Sequence, residues 1–90
     1  MEIEFDPAKD RINERKHGIS LGEAAAMDFD AALVVPDDRR DYGEVRFQAV
    51  GPIRERLHVL AFTMRGNTLR AISLRRANRR EVSRYGQGRR

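Results

Sequence analysis

Side chains that bind phosphate are concentrated in the second half of this 90-residue chain. Residues 46–90 contain 12 arginines and 2 glutamates, whereas residues 1–45 contain 6 lysines and arginines and 12 acidic residues. The guanidinium group presents a planar fork of donors that matches phosphate, so this bias predicts a polyanionic partner such as nucleic acid. The alternative is that the acidic and basic halves neutralise each other across the fold.

The last predicted helix, residues 77–85, carries the densest positive charge. Its i, i+4, i+8 stripe begins just before the helix and consists of Arg76, Arg80 and Arg84, with Arg79 alongside. Like charges at this spacing destabilise an isolated helix by about 0.2–0.5 kcal/mol per pair, which favours a site neutralised by an anion. Glu81 and Tyr85 share another face and add an acid/base candidate and a phenol. The alternative is a solvated, charged helix.

The two histidines are candidate proton carriers. If Gly66-Asn67 forms a two-residue hairpin loop, His58 pairs directly with Arg75, about 5 Å away at Cβ. A neighbouring guanidinium disfavours the imidazolium form and would leave a neutral base near pH 7. The alternative is a histidine at a sheet edge with no chemical role, since a register slip of one residue removes the pairing.

His17 belongs to a polar face of the first predicted helix. Lys9, Asn13, Lys16 and His17 follow at i, i+4, i+7 and i+8, so they lie on one side of the helix. This face is either a binding surface or a solvated one, in which Lys16 and His17 simply complement the negative end of the helix dipole.

Other kinds of site have little support in the sequence. The absence of cysteine removes disulfides, thiolate zinc sites and cysteine nucleophiles. The acidic residues of the middle segment match no calcium loop in their spacing: Asp28, Asp30, Asp37, Asp38, Asp41 and Glu44. We therefore expect no metal site and no cofactor. No apolar run is long enough to cross a membrane and the charged start is unlike a signal peptide, so we expect a soluble cytoplasmic protein.

Local signals predict a single domain spanning residues 1–90. A short strand is expected at 2–5, then a helix that Asp6 caps, Pro7 begins and Gly18 ends. Ser20 and Glu23 predict a capping box for a second helix that ends near Asp30.

The remaining elements are predicted to be strands and one short helix. Strands are expected at 32–35, 45–50, 57–64 and 68–75, with a turn at Gly51-Pro52, and residues 86–90 are expected to fray. One face of the last two strands, with Val59, Ala61, Ile72 and Leu74, is expected in the core. The fold class is therefore α+β, with two N-terminal helices packed on an antiparallel sheet and a short C-terminal helix.

Taken in order, these residues resemble the BrnT family of toxins from type II toxin–antitoxin systems. The resemblance covers nearly the whole chain and rests on this ordered set: Phe5-Asp6, Lys9, Asn13, Lys16-His17-Gly18-Ile19-Ser20, Glu23-Ala24, Gly43-Glu44, Arg46, Gly51, Phe62-Thr63, Arg65, Arg70, Ile72-Ser73, Arg75-Arg76-Ala77, Glu81 and Tyr85. The chain departs from the family at Glu4, where a Trp or another bulky residue often stands.

The resemblance implies a RelE-like fold and a metal-independent endoribonuclease that inhibits translation. It also implies a BrnA-like antitoxin with a ribbon-helix-helix DNA-binding domain, and a complex that binds operator DNA through that antitoxin. The competing hypothesis is a non-catalytic module that binds nucleic acid or an acidic protein with the same arginine-rich face. Residues alone do not distinguish RNA from DNA, or cleavage from binding.

The implied reaction suggests a role for each candidate residue. A base takes the proton of the ribose 2′-hydroxyl, cations stabilise the charged phosphorus centre, and an acid protonates the leaving 5′-oxygen. We assign phosphate stabilisation to Arg65, Arg75, Arg76, Arg79 and Arg80. Proton transfer falls to His17, Glu81 or His58, with Lys16 assisting and Tyr85 stacking on a base or orienting the scissile group. Lys9, Arg84, Arg76 and His58 are expected to contact RNA.

Overall fold

A computed structural model describes residues 1–88 and confirms the α+β class. The elements in chain order are β1 (Glu2–Glu4), α1 (Pro7–His17), a 3-10 helix (Leu21–Ala26), β2 (Leu33–Pro36), β3 (Phe47–Ile53), β4 (Arg56–Arg65), β5 (Thr68–Arg76) and α2 (Arg79–Gly88). The strands form one sheet in the order β1-β5-β4-β3-β2. Along the described range 1–88, no helix is long and apolar enough to cross a membrane.

The sheet is mixed, which corrects the expectation of an antiparallel sheet. Strands β2 to β5 pair antiparallel with their neighbours, but β1 pairs parallel with β5. A parallel pair needs a long connection between its strands. Here that connection is the whole of the chain from α1 to β4, because the first and fifth strands are neighbours.

The first helix follows its local signals closely. The Asp6 side chain accepts a hydrogen bond from the Ala8 N–H, Pro7 occupies the first turn, and Gly18 ends the helix with a positive φ of 72°. The apolar Ile12 is nevertheless 53% exposed, and the buried residue of this helix is the polar Asn13.

The second N-terminal helix differs from its prediction in type and length. It is a six-residue 3-10 helix that ends at Ala26, before the predicted Asp30. Its buried side chains, Leu21 and Ala24, and the buried Met27 that caps its C-terminal end recur every third residue, which is the period of a 3-10 helix and not of an α-helix. Ser20 caps it by accepting the Gly22 N–H, but the capping box is incomplete because Glu23 pairs with Arg54 instead.

The predicted turn at Gly51-Pro52 is wrong, since β3 runs on to Ile53. The chain reverses at Arg54-Glu55, where Arg54 has a positive φ of 56°. Gly51 serves close packing here: a Cβ on it would lie 2.8 Å from the Ala32 Cβ. The extended strand brings the arginines of the β3–β4 turn to one end of the sheet.

In the β4–β5 hairpin, Arg65 pairs with Thr68 and the predicted register holds as far as the pair of Phe62 with Ala71. A β-bulge then shifts the register by one residue. Ala61 pairs with Ser73, so Ile72 is the extra residue. Beyond the bulge His58 pairs with Arg76, and the expected pairing of His58 with Arg75 is wrong. One inserted residue reverses which side of the sheet each following side chain occupies.

The bulge also changes which side chains form the core. The main buried cluster takes Leu60, Phe62, Leu69, Ala71 and Leu74 from the two strands, together with the buried residues of the 3-10 helix. The expected core face of Val59, Ala61, Ile72 and Leu74 is therefore wrong as a set, because Leu74 lies opposite Leu60. The 3-10 helix packs on the sheet through this core, whereas α1 contacts β5 through the Asn13 amide.

The C-terminal helix begins at Arg79 and continues to Gly88. Residues 86–88, expected to fray, are helical, and residues 89–90 of that prediction lie outside the described range. A reciprocal capping arrangement starts the helix: the Glu81 N–H donates to Asn78 Oδ1, and the Asn78 N–H donates to Glu81 Oε1, both at 2.8 Å. The likeness to the RelE fold stays a prediction.

Candidate active site

An open cleft of about 980 Å³ lies where α1 ends, β3 turns into β4 and β5 reaches its last residues. Its lining includes both histidines, five basic residues (Lys16, Arg54, Arg56, Arg75 and Arg76) and two acidic residues (Glu23 and Glu55). The excess of cations gives the cleft a positive potential, which suits a phosphate-containing ligand. The structure thus brings together Lys16, His17, His58, Arg75 and Arg76 from the sequence-based candidates.

His17 is the last residue of α1 and forms part of the cleft wall. The pKa of His17 is lowered from its ordinary value, first by partial desolvation and then by the positive charges of Lys16 and Arg75. All three causes favour the neutral imidazole, which can accept a proton. Arg75, from the end of β5, is close enough to His17 for its charge to act on this titration.

Arg75 is held by Glu81. The two terminal nitrogens of the guanidinium donate to the two carboxylate oxygens, each at 2.8 Å. The pKa of Glu81 is lowered, chiefly by these bonds from Arg75 and also by the Asn78 N–H. Glu81 is therefore an ionised acceptor whose oxygens are already engaged.

His58 is buried, with 5% of its surface exposed, at the inner wall of the cleft. Its Nδ1 lies 3.0 Å from the carbonyl oxygen of Arg56. A carbonyl can only accept, so Nδ1 carries the proton and Nε2 is left for exchange with a ligand. Its cross-strand neighbour is Arg76, which is exposed.

Glu81 does not line the cleft itself and meets it only through Arg75. Six further sequence-based candidates also do not line the cleft: Lys9, Arg65, Arg79, Arg80, Arg84 and Tyr85. Arg65 ends β4 at the hairpin tip, roughly 30 Å along the strand from Arg56, given about 3.3 Å per residue. Tyr85 donates its hydroxyl to the Ala31 carbonyl oxygen at 2.7 Å, which ties α2 to the segment before β2. The others are exposed on α1 or α2.

Four charged residues of the cleft were not predicted: Glu23, Arg54, Glu55 and Arg56. Arg54 donates to the Glu23 carboxylate at 2.6 Å, so the β3–β4 turn is joined to the 3-10 helix at the mouth of the cleft. The signal that could have found them is the alternation of β3. It continues through Gly51 to Ile53, and that continuation moves the turn to Arg54-Glu55.

The acidic middle segment folds onto its own arginine and tyrosine. Asp37 is buried and accepts from Arg39 at 2.8 and 2.9 Å and from the Tyr42 hydroxyl at 3.3 Å. The hydrogen bonds from Arg39 lower the pKa of Asp37 to about 2. Within residues 1–88, no three His, Cys, Asp or Glu side chains are grouped as a metal site would require.

This fold and cleft define a small basic α+β domain equipped to bind a phosphate-containing polyanion. The chain belongs to the BrnT family, described as ribonuclease toxin, BrnT, of type II toxin–antitoxin system, which it matches over residues 5–81. No match was found among curated proteins. The matched range contains every charged residue of the cleft and ends at Glu81, the partner of Arg75. Membership implies an RNA substrate and an antitoxin partner.

Proposed function

We propose that this protein is an endoribonuclease that cleaves RNA without a metal ion, by attack of the ribose 2′-hydroxyl inside the cleft. The observation that carries the proposal is that His17, whose pKa is lowered, shares the cleft with Lys16 and Arg75. A base, a flexible cation and a fixed guanidinium are the groups that such a reaction needs around one phosphate.

His17 acts as the base. Its neutral imidazole takes the 2′-hydroxyl proton while the 2′-oxygen forms a bond to the adjacent phosphorus. Lys16 precedes it on the helix and can approach the same phosphate with a compact ammonium group. The cations that lower the pKa of His17 therefore also attract the substrate.

Arg75 stabilises the negative charge that builds on the non-bridging oxygens. Glu81 fixes the guanidinium on one side, so little reorganisation is needed when the charge develops. Arg76 and Arg56 extend the positive wall beside it. These guanidiniums supply the field that a divalent cation provides in metal-dependent nucleases.

His58 acts as the acid. Its Nε2 passes a proton to the 5′-oxygen as the bond between phosphorus and that oxygen breaks. The products are a 2′,3′-cyclic phosphate and a free 5′-hydroxyl, and proton exchange with water then restores both histidines for the next cycle. Glu81 does not serve this step, because its oxygens are bonded to Arg75 and Asn78.

The exposed cations outside the cleft bind the flanking RNA. Arg79, Arg80 and Arg84 lie on α2, Lys9 on α1 and Arg65 at the hairpin tip, and contacts of this kind add affinity that depends on salt. The activity inhibits translation in the cytoplasm. It is neutralised by a BrnA-like antitoxin whose ribbon-helix-helix domain directs the complex to operator DNA.

Incubation of the purified chain with a defined single-stranded RNA in excess EDTA tests this proposal. We expect cleavage in EDTA, and growth arrest on expression that co-expression of the antitoxin relieves. Salt-dependent binding without product would favour the non-catalytic binding module. Cleavage that requires added Mg²⁺ would overturn the metal-independent mechanism.

A further inference from the structure

Asn13 is a buried amide on a helix that otherwise contacts solvent. Only 5% of its surface is exposed, and it is the buried residue of α1. Its Nδ2 donates to the carbonyl oxygens of Leu74 and Ile19, both at 2.8 Å. Its Oδ1 accepts the Leu74 N–H at 3.1 Å. The amide thus uses both donors and its oxygen.

These bonds complete the open side of β5. Strand β1 pairs with β5 only over Thr68–Arg70, so Leu74 lies beyond the last paired residue on that side. The Asn13 amide presents one donor and one acceptor to the Leu74 backbone, as a residue of a neighbouring strand would. The third bond, to Ile19, fixes the chain that follows α1.

Asn13 joins α1 to β5, the two elements that carry His17 and Arg75 into the cleft. His17 is one helical turn further along α1, and Arg75 directly follows Leu74 on β5. We propose that Asn13 is a positioning residue for the reaction, because it sets the separation of His17 and Arg75. This inference rests on the proposed function, in which those two groups act on one phosphate.

A structural amide alone would stabilise the fold without controlling the reacting groups. Asp10 offers a matched control, since it lies one turn earlier on the same helix and also makes two tertiary bonds. Its Oδ1 accepts the Ser20 hydroxyl at 3.0 Å and the Leu21 N–H at 2.7 Å. These bonds join α1 to the 3-10 helix and not to β5.

The titration of His17 in the free protein reports the geometry independently of catalysis. The charges that face it are Lys16 on its own helix and Arg75 on β5. Across the cleft stand Arg76, Arg56, Glu55 and His58. If α1 moves away from β5, the influence of Arg75 weakens and the imidazole regains water, so the pKa of His17 returns toward its ordinary value.

The experiment compares Asn13→Ala, Asn13→Gln and Asp10→Ala with the unaltered chain by NMR titration of His17, thermal unfolding and RNA cleavage. Both Asn13 variants should raise the pKa of His17 and lower kcat by about tenfold to a hundredfold, the cost of an ångström-scale misplacement. Asp10→Ala should lower the thermal midpoint but keep the His17 titration of the unaltered chain and at least half of kcat.

Asn13→Gln keeps the amide but extends it by one methylene, so it carries the test if Asn13→Ala does not fold. An unchanged His17 titration in a folded Asn13 variant would overturn the inference, as would an equal change in Asp10→Ala. If the unaltered chain does not cleave RNA, the proposed function fails, and the titration still decides whether Asn13 sets the spacing.

Discussion

The Arg75 guanidinium and the Glu81 carboxylate form a two-point ion pair, with both nitrogen–oxygen distances at 2.8 Å. The same carboxylate accepts the Asn78 N–H at the start of α2. Glu81 therefore performs two tasks, since it caps the helix and fixes the guanidinium beside His17. This relationship joins the C-terminal helix to the cleft wall.

Glu81→Gln should weaken both tasks. We expect a loss of about 1 kcal/mol in the free energy of unfolding at pH 7, because the pair is partly exposed, and a larger loss in cleavage because Arg75 is released. The pKa of Glu81 is lowered in the folded protein. Its stabilisation is thus present above the ordinary value and lost as the pH falls through the folded-state value.

Thermal unfolding at pH 7 and at low pH measures this difference, with the exposed Glu14→Gln on α1 as the control. The Glu81 variant should lose less stability on acidification than the unaltered chain. An identical acid response in both proteins would show that the ion pair does not contribute in solution.

Arg75→Ala should lower kcat by about a hundredfold, as removal of one preorganised donor at a developing oxyanion does. Arg79→Ala should change kcat less than twofold and raise KM, because Arg79 is exposed on α2 outside the cleft. Steady-state cleavage of one RNA measures both values.

Arg11→Ala is the control for these substitutions, since Arg11 is exposed on α1 and does not line the cleft. Arg39 is unsuitable as a control, because its charge acts on the pKa of Arg75. Full kcat in Arg75→Ala would move the active site elsewhere.

The pH dependence of cleavage should report His17. A base must be deprotonated, so kcat/KM should rise with pH through a value below the ordinary histidine pKa, since the pKa of His17 is lowered. Lys16→Met removes one cause of this lowering, so the rising limb should move to higher pH. If the rising limb of kcat/KM stays at the same pH in Lys16→Met, the group that titrates is not His17.

Tyr85→Phe separates a structural tyrosine from one that contacts RNA. The change removes the hydrogen bond to the Ala31 carbonyl, so the free energy of unfolding should fall by about 1 kcal/mol. Cleavage should stay within twofold of the unaltered chain. A loss of cleavage with the thermal midpoint unchanged would instead restore the stacking role predicted from the sequence.

Local signals predicted the elements that depend on a few adjacent residues. Asp6-Pro7 and Gly18 bound α1 as predicted, and Gly66-Asn67 forms the β4–β5 turn. Lys16 and His17 are the last two residues of α1, so the predicted end of this helix already places them side by side. The family resemblance supplied ribonuclease activity, which charge and spacing did not.

Tertiary packing decided what local signals could not. The bulge at Ile72 depends on how two strands meet the core, and it replaced Arg75 with Arg76 opposite His58. The sequence predicts a turn at Gly51, but the structure places it inside β3, where Met27 and Ala32 leave no room for a side chain. The sequence predicts Asn13 on a polar face of α1, whereas the structure buries it against the Leu74 backbone of a distant strand.

The central claim is attack by the 2′-hydroxyl in a cleft whose positive charge comes from arginine and lysine. Its most direct test compares an RNA with the same strand carrying a single 2′-deoxynucleotide at the cleavage position, in excess EDTA, with identification of the product ends. The account predicts a 2′,3′-cyclic phosphate and a 5′-hydroxyl from the RNA, and no cleavage at the 2′-deoxy position. Equal cleavage of both strands, or activity that appears only when Mg²⁺ is restored, would contradict it.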